Sequence, residues 1–231
     1  TYIYTAPAAG SYENHLVTVE PDYSTDWYVN ANPDPSAGIV GSDKNNGFTP
    51  ETPMLTFTNA MAHVIEGDTV HAAAGVYAEG AVAAGTTEGP GDLARLYIST
   101  PRVTVVADEG KDVTFIEGAD ATISPDAYGR GDDSMRAVHV RDVAGVRIRG
   151  FTIRKGRTSA KTNDAGGGAW CYNSKLAYDD RTVFEDCCFT NNWGNNAGAV
   201  KDGICVNCTF VCNGCSRYRA ASTEASRSYA L

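Results

Sequence analysis

The chain is predicted to be all-β, a solenoid in which short strands wind into stacked coils, and three observations predict it. The first is a repeat: Glu185-Asp186-Cys187-Cys188-Phe189-Thr190-Asn191-Asn192 and Val206-Asn207-Cys208-Thr209-Phe210-Val211-Cys212-Asn213 are one stretch written twice, 21 residues apart. A weaker copy, Val146 to Ile153, puts Phe151 and Ile153 in the Cys and Phe places and ends in Gly156 rather than Asn. The second is a series of short β-forming runs at fairly even spacing, bounded by Gly, Asp or Pro. The third is that the one convincing helical pattern precedes them. A strand-and-turn unit repeated at this interval buries its apolar face only against its neighbours, which is how a stacked coil is built.

Residues 1–25 are rich in Tyr, show no period and read as an N-terminal arm. A strand is expected at Asp26-Trp27-Tyr28-Val29, followed by a loop dense in turn formers through Gly41 to Gly47. From Pro53 to Glu66 the apolar residues Phe57, Ala60, Met61, Val64 and Ile65 follow helical spacing, and Gly67 supplies a stop. That helix would cover the first open coil, whose unpaired strand edge would otherwise invite aggregation. A strand and turn follow over Asp68 to Tyr77, then strands at Leu96-Tyr97-Ile98, Val103 to Val106, Val113 to Ile116, Ala137 to Val140 and Val146 to Ile153. The expected division is an arm over 1–25, a cap and first coil over 26–80, coils over 81–215 and an irregular or weakly helical tail over 216–231. Tyr218, Ala221, Ala225 and Tyr229 allow only a weak amphipathic helix there, so the tail is expected to be a truncation point of a longer solenoid.

Composition narrows the partners. The 28 acidic against 19 basic side chains give a net charge of −9, which argues against nucleic acid. No apolar run approaches the roughly 20 residues needed to cross a bilayer. The chain opens on Thr1 without an initiator Met, as expected after removal of a signal peptide or for an excised fragment. All seven cysteines follow residue 170. Cys205, Cys208, Cys212 and Cys215 have paired spacing that suits a thiolate metal site. Strand alternation from Ile204 to Phe210 sends Cys208 and Phe210 to one side and Cys205 to the other, which disfavours that site. Cys187 and Cys208 are instead expected as small core residues, stacked one over the other. Phe189 over Phe210 and Asn192 over Asn213 complete the expected ladder, the asparagines satisfying each other and the turn backbone. Truncating Phe210 is expected to cost about 3–5 kcal/mol.

Residues 26 to about 80 carry Trp27-Tyr28-Val29, Gly41-Ser42-Asp43, Asn45-Asn46-Gly47, Thr52-Pro53, Gly67-Asp68-Thr69-Val70 and Gly75-Val76-Tyr77 in order. This set resembles the N-terminal cap of secreted right-handed parallel β-helix proteins, the pectate-lyase-like group. Gly167-Gly168-Ala169-Trp170, Phe189-Thr190-Asn191-Asn192, Gly198-Ala199-Val200 and Phe210-Val211-Cys212-Asn213 are similar to repeats of polymorphic outer-membrane proteins and autotransporter passengers. Here Ala197 replaces a Gly and Trp170 an aliphatic residue. The resemblance implies a right-handed, single-stranded parallel β-helix with an N-terminal capping helix, of bacterial origin, secreted or displayed at the cell surface. It also implies a polysaccharide or surface glycan as partner.

Lyase chemistry on acidic sugars needs Ca²⁺ or another carboxylate neutraliser and a Lys or Arg base on one face. The candidates are Arg147 and Arg149, outward beside inward Val146 and Ile148, with Arg154 and Lys155 at the following bend. Such a cluster can hold uronate carboxylates. Asp43 and Asn45 have the oxygen ligands of a Ca²⁺ loop without the spacing of an EF-hand or its closing Glu. No paired-carboxylate signature and no catalytic set is evident. The reading is therefore an adhesin-like β-helix presenting an elongated face to glycans. The alternative is a polysaccharide lyase or hydrolase acting on acidic polysaccharide such as pectin.

Overall fold

The computed structural model describes residues 2–4, 15–17, 26–32, 38–83, 93–159, 165–172 and 176–216. Of the expected arm, Tyr2–Tyr4 pairs antiparallel with His15–Val17, and the tail beyond Ser216 lies outside the described residues. The molecule is nearly all β. Its first sheet orders the strands Asp26–Val29, Thr69–Ala72, Thr104–Ala107, Arg147–Arg149, Val183–Glu185 and Ile204–Val206. The second orders Gly75–Tyr77, Thr114–Glu117, Thr152–Arg154, Cys188–Thr190 and Thr209–Val211. The third orders Val82–Ala83, Leu93–Ile98, Met135–Arg141, Ala169–Tyr172 and Val200–Lys201. Every pairing in these sheets is parallel except Val82–Ala83 with Leu93–Ile98. From Leu93 onward the chain visits the third, first and second sheets in that rotation, coil after coil.

Left-handed residues at many of the corners make the rotation possible. Between the first and second sheets sit Gly150 (φ 78), Asp186 (φ 53) and Asn207 (φ 50), each followed by an inward residue. Asn and Asp tolerate this conformation better than other side-chain-bearing residues. Because the corner resets the alternation, the inward residues of successive coils are Ile148, Phe151 and Ile153, then Phe184, Cys187 and Phe189, all fully buried. In the last coil they are Cys205, Cys208 and Phe210. Simple alternation, which turned Cys205 outward, therefore fails at Asn207: Cys205 is 5% exposed and belongs to the core. Among the described residues no group of three or more His, Cys, Asp or Glu is arranged to hold a metal ion.

Register stacks like on like. Tyr77, Ile116, Ile153, Phe189 and Phe210 form one inward row of the second sheet. Phe189 and Phe210 lie nearly parallel, centroids 5.3 Å apart. At the next corner Asn192 is fully buried and donates through Nδ2 to Ile153 O (2.9 Å) and Asn213 Oδ1 (3.0 Å), while its Oδ1 accepts from Gly156 N (2.8 Å). Asn213 repeats the pattern one coil on, donating to Phe189 O (2.8 Å) and accepting from Asn192 N (3.1 Å). Gly156 occupies the same place a coil earlier, where a Cβ would stand 1.9 Å from Gly167 O. The missing asparagine is thus a steric exclusion.

The helix is shorter than its apolar spacing suggests, running Phe57–Met61 rather than Pro53 to Glu66. Thr56 caps it, accepting from Asn59 N, and buries Phe57 and Ala60 over the first coil, with Phe57 4.5 Å from the Tyr77 ring. What replaces its last turns is buried Asp68, whose Oδ2 accepts from Ile65 N (2.9 Å) and from Trp27 Nε1 (2.8 Å). Closing a tight turn at Ile65 and tying it to the neighbouring strand competes with further helix. Val64 keeps its place in the core, whereas Ile65 is exposed. No helix among the described residues is long and apolar enough to cross a membrane.

Much of the outer side of the third sheet is itself covered, with His139 and Trp170 buried on it. Tyr97, His139 and Trp170 form its row, His139 stacking on Trp170 at 5.1 Å. Arg136 lies 4.9 Å over the Trp170 ring and donates to Ala165 O and Gly166 O of the connection that covers them. Burial, then the charges of Arg136 and Arg141, hold the His139 imidazole well below its ordinary pKa.

Phe189 is fully buried, whereas Phe210, on the last described coil, is only partly so. Phe189→Ala should cost about 3–5 kcal/mol, and Phe210→Ala less because it is only partly buried. Urea denaturation of the two variants checks this. Equal losses would contradict the end-coil geometry.

Candidate functional site

The outer side of the first sheet stays open along its length. Alternation and register give two outward rows: Asp26, Thr69, Thr104, Arg147, Val183, Ile204 and, beside it, Tyr28, His71, Val106, Arg149, Glu185, Val206. Six strands at one strand spacing make a face about 24 Å long.

A cleft of about 410 Å³ opens at the head of this face. Its floor is Tyr28 stacked on His71, ring centroids 5.1 Å apart. The imidazole meets a carboxylate at each nitrogen, Nδ1 lying 2.8 Å from Asp108 Oδ1 and Nε2 3.4 Å from Asp26 Oδ1. Ile39, Pro50 and Pro53 supply apolar wall; Asn30, Asn32 and Glu109 supply polar groups. Asn30 Nδ2 donates to Ile39 O (3.1 Å) and its Oδ1 accepts from Asn32 N (2.9 Å), so the asparagines also hold the loop. Burial, then Asp26, Asp108 and Glu51, raise the Tyr28 phenol above its ordinary pKa. The cleft is therefore electronegative, and no Lys or Arg is among its described lining residues. Chemically it offers an aromatic ring, apolar walls and hydrogen-bonding carboxylates and amides, which together suit the alternating apolar and hydroxylated surfaces of a sugar.

Sequence reading treated His71 as a plain strand residue. The available signal was alternation, which turns Tyr28 and His71 outward on their strands; what it lacked was the register that sets one beside the other.

The four basic candidates divide between two sheets. Arg147 and Arg149 are exposed on the first, and Arg147 Nη1 pairs with Glu185 Oε1 at 2.7 Å. Arg154 and Lys155 end a strand of the second, where both bind the carboxylate of Glu117, at 2.5 and 3.0 Å. Arg154 also lies 4.0 Å over the Phe115 ring. Of the four, only Arg149 has no ion pair among the described residues. Asp43 and Asn45 are taken up by the cap. Asp43 accepts from Leu55 N, Thr56 N and Thr56 Oγ1, at 3.0, 2.9 and 2.8 Å, and Asn45 Nδ2 donates to Pro53 O at 2.8 Å. Their hydrogen bonds set the loop against the start of the helix.

No family model matches this chain, and no curated protein matches it. Among solved structures it is similar to a rhamnogalacturonan lyase, at 16% identity and a TM-score of 0.47, over 84% of this chain and 43% of that one. It is also similar to a GH136 lacto-N-biosidase from Eubacterium ramulus, at 13% identity and a TM-score of 0.39, over 81% of this chain and 34% of that one. The chain thus spans less than half the length of either.

The Glu117 cluster yields a pH test. Burial would raise the Glu117 carboxyl, but hydrogen bonds and charge from Lys155 and Arg154 outweigh it and hold the group below its usual range. A depressed folded value means the unfolded chain binds the proton first, so the pairing stabilises above about pH 4.3 and is lost as pH falls through the folded value. Glu117→Gln should cost about 1–3 kcal/mol at neutral pH. The gap to wild type should shrink towards pH 3 in paired denaturation curves, and a constant gap would assign the loss to packing alone.

Proposed function

We propose that this chain is a right-handed, single-stranded parallel β-helix, secreted or displayed at the cell surface, whose open first-sheet face binds a glycan in the manner of an adhesin. The rotation through three parallel sheets supports the coil. Handedness follows from the strong preference of parallel crossovers for the right-handed path. We further propose the cap and first coil as residues 26–80 and the remaining coils as 81–215. Localisation rests on the resemblance of the cap motifs.

The single observation that carries the binding role is the cleft lined by Tyr28, His71 and Asp108, with Asp26 beside the imidazole, at the head of a continuous outward face. Its charge selects among glycans. Asp108 and Glu109 would repel uronate carboxylates at close range, where unit charges interact strongly, so a neutral sugar chain fits better than pectin. The reading in which this chain cleaves acidic polysaccharide is correspondingly weaker, because Arg147, Arg154 and Lys155 are already neutralised within the chain.

Calorimetric titration with neutral gluco- and xylo-oligosaccharides and with oligogalacturonates, each with and without Ca²⁺, tests both readings. Neutral oligosaccharides should bind and lose roughly tenfold or more in affinity on Tyr28→Ala, about 1.4 kcal/mol. Unsaturated product accumulating from polygalacturonate would reverse the order of the two readings.

A further inference from the structure

We propose that Cys208 and Cys187 form a thiol–disulfide exchange site, which a small disulfide of the glutathione class oxidises to a covalent staple between the last two described coils. Placement comes from register. Glu185 pairs with Val206 and Cys188 with Thr209, so the residues between them, Cys187 and Cys208, sit side by side at the same corner. Parallel neighbours lie about 4.8 Å apart, within the roughly 4.4–6.8 Å between Cα atoms that a disulfide spans.

The two sulfurs also point alike. Cys187 Sγ approaches Glu185 O (3.3 Å) and Ile148 O (3.6 Å); Cys208 Sγ approaches Val206 O and Phe184 O (both 3.4 Å). Each thus meets the carbonyl two residues back and one in the preceding coil. They differ in access, for Cys187 is fully buried and Cys208, on the last described coil, is only partly so. A soluble disulfide reaches Cys208 first. Hydrogen bonding with the Cys187 and Cys205 thiols favours the thiolate at Cys208, whereas burial pushes Cys187 up. Access and acidity therefore single out the same attacking sulfur.

The exchange proceeds in two steps. The Cys208 thiolate attacks one sulfur of the oxidant, whose S–S bond breaks, leaving a mixed disulfide and one released thiolate. That thiolate takes the Cys187 proton, and the Cys187 sulfur attacks Cys208, forming the protein disulfide and expelling the second small thiolate, which takes from solvent the proton that Cys208 gave up on ionising. Two protein thiols are oxidised and one small disulfide is reduced to two thiols.

Incubating the reduced chain in buffer dominated by oxidised glutathione, with intact-mass measurement and fragmentation of the linked peptides, tests this. The expected result is loss of the mass of two hydrogens, reversed by dithiothreitol, with Cys187 bonded to Cys208. The unfolding midpoint should rise alongside. Cys205→Ser should oxidise as the parent does, and Cys208→Ser should show neither the bond nor a glutathione adduct at this corner. Three outcomes overturn the proposal: unchanged mass, a lasting adduct on Cys208 with Cys187 free, or a bond from Cys208 to Cys205, Cys188 or Cys212.

Discussion

The two-residue corner between the first and second sheets is the constraint on which the stack depends. One residue there turns left-handed, at Gly150, Asp186 and Asn207 in successive coils, and the next points inward. An extended chain would carry its alternation straight through, so that Phe151, Cys187 and Cys208 would face the wrong way relative to Ile148, Phe184 and Cys205. With the corner in place, two short strands behave as one inward row of three. Each coil then presents the same profile to the next, and the Phe189–Phe210 stack and the asparagine ladder follow from that equivalence.

Much of this was legible before any coordinates. The 21-residue repeat already named the residues that stack, because identical spacing puts equivalent atoms at equivalent heights. Failures came where local geometry broke a simple period. Alternation carried through Asn207 misplaced Cys205, and helical spacing carried through Ile65 overran a turn that Asp68 closes. The candidate site was harder for a different reason. Its parts come from two strands and the turn after a third, with His71 and Asp108 37 residues apart, and nothing local in any of them announces the others. The partners of the basic candidates were hidden in the same way: Arg147 and Arg154 meet Glu185 and Glu117 only once coils are stacked.

The three outer surfaces have separate physical characters. One is sealed beneath chain connections around Arg136, His139 and Trp170, another is crosslinked by the Glu117 ion cluster, and the third remains open with an acidic cleft at its head. The cleft carries Asp108 and Glu109 and no Lys or Arg among its described lining, so that selection by sign falls at the head of a face whose middle carries arginine.

The unequal coil lengths have an evolutionary consequence. Between first and second sheets the chain spends two residues per turn in the last three coils, but after the second sheet it spends 118–134 in one coil and 155–168 in the next. The same corner holds residues 108–113 in the preceding coil, and Ile116 still aligns with Tyr77 and Ile153 across it, so length added between sheets is absorbed as an excursion while the rows keep their phase. Insertions and deletions among homologous chains should therefore collect in the connections between sheets, above all in the long ones after the second sheet, and a foreign peptide grafted there would be displayed without disturbing the rows on either side.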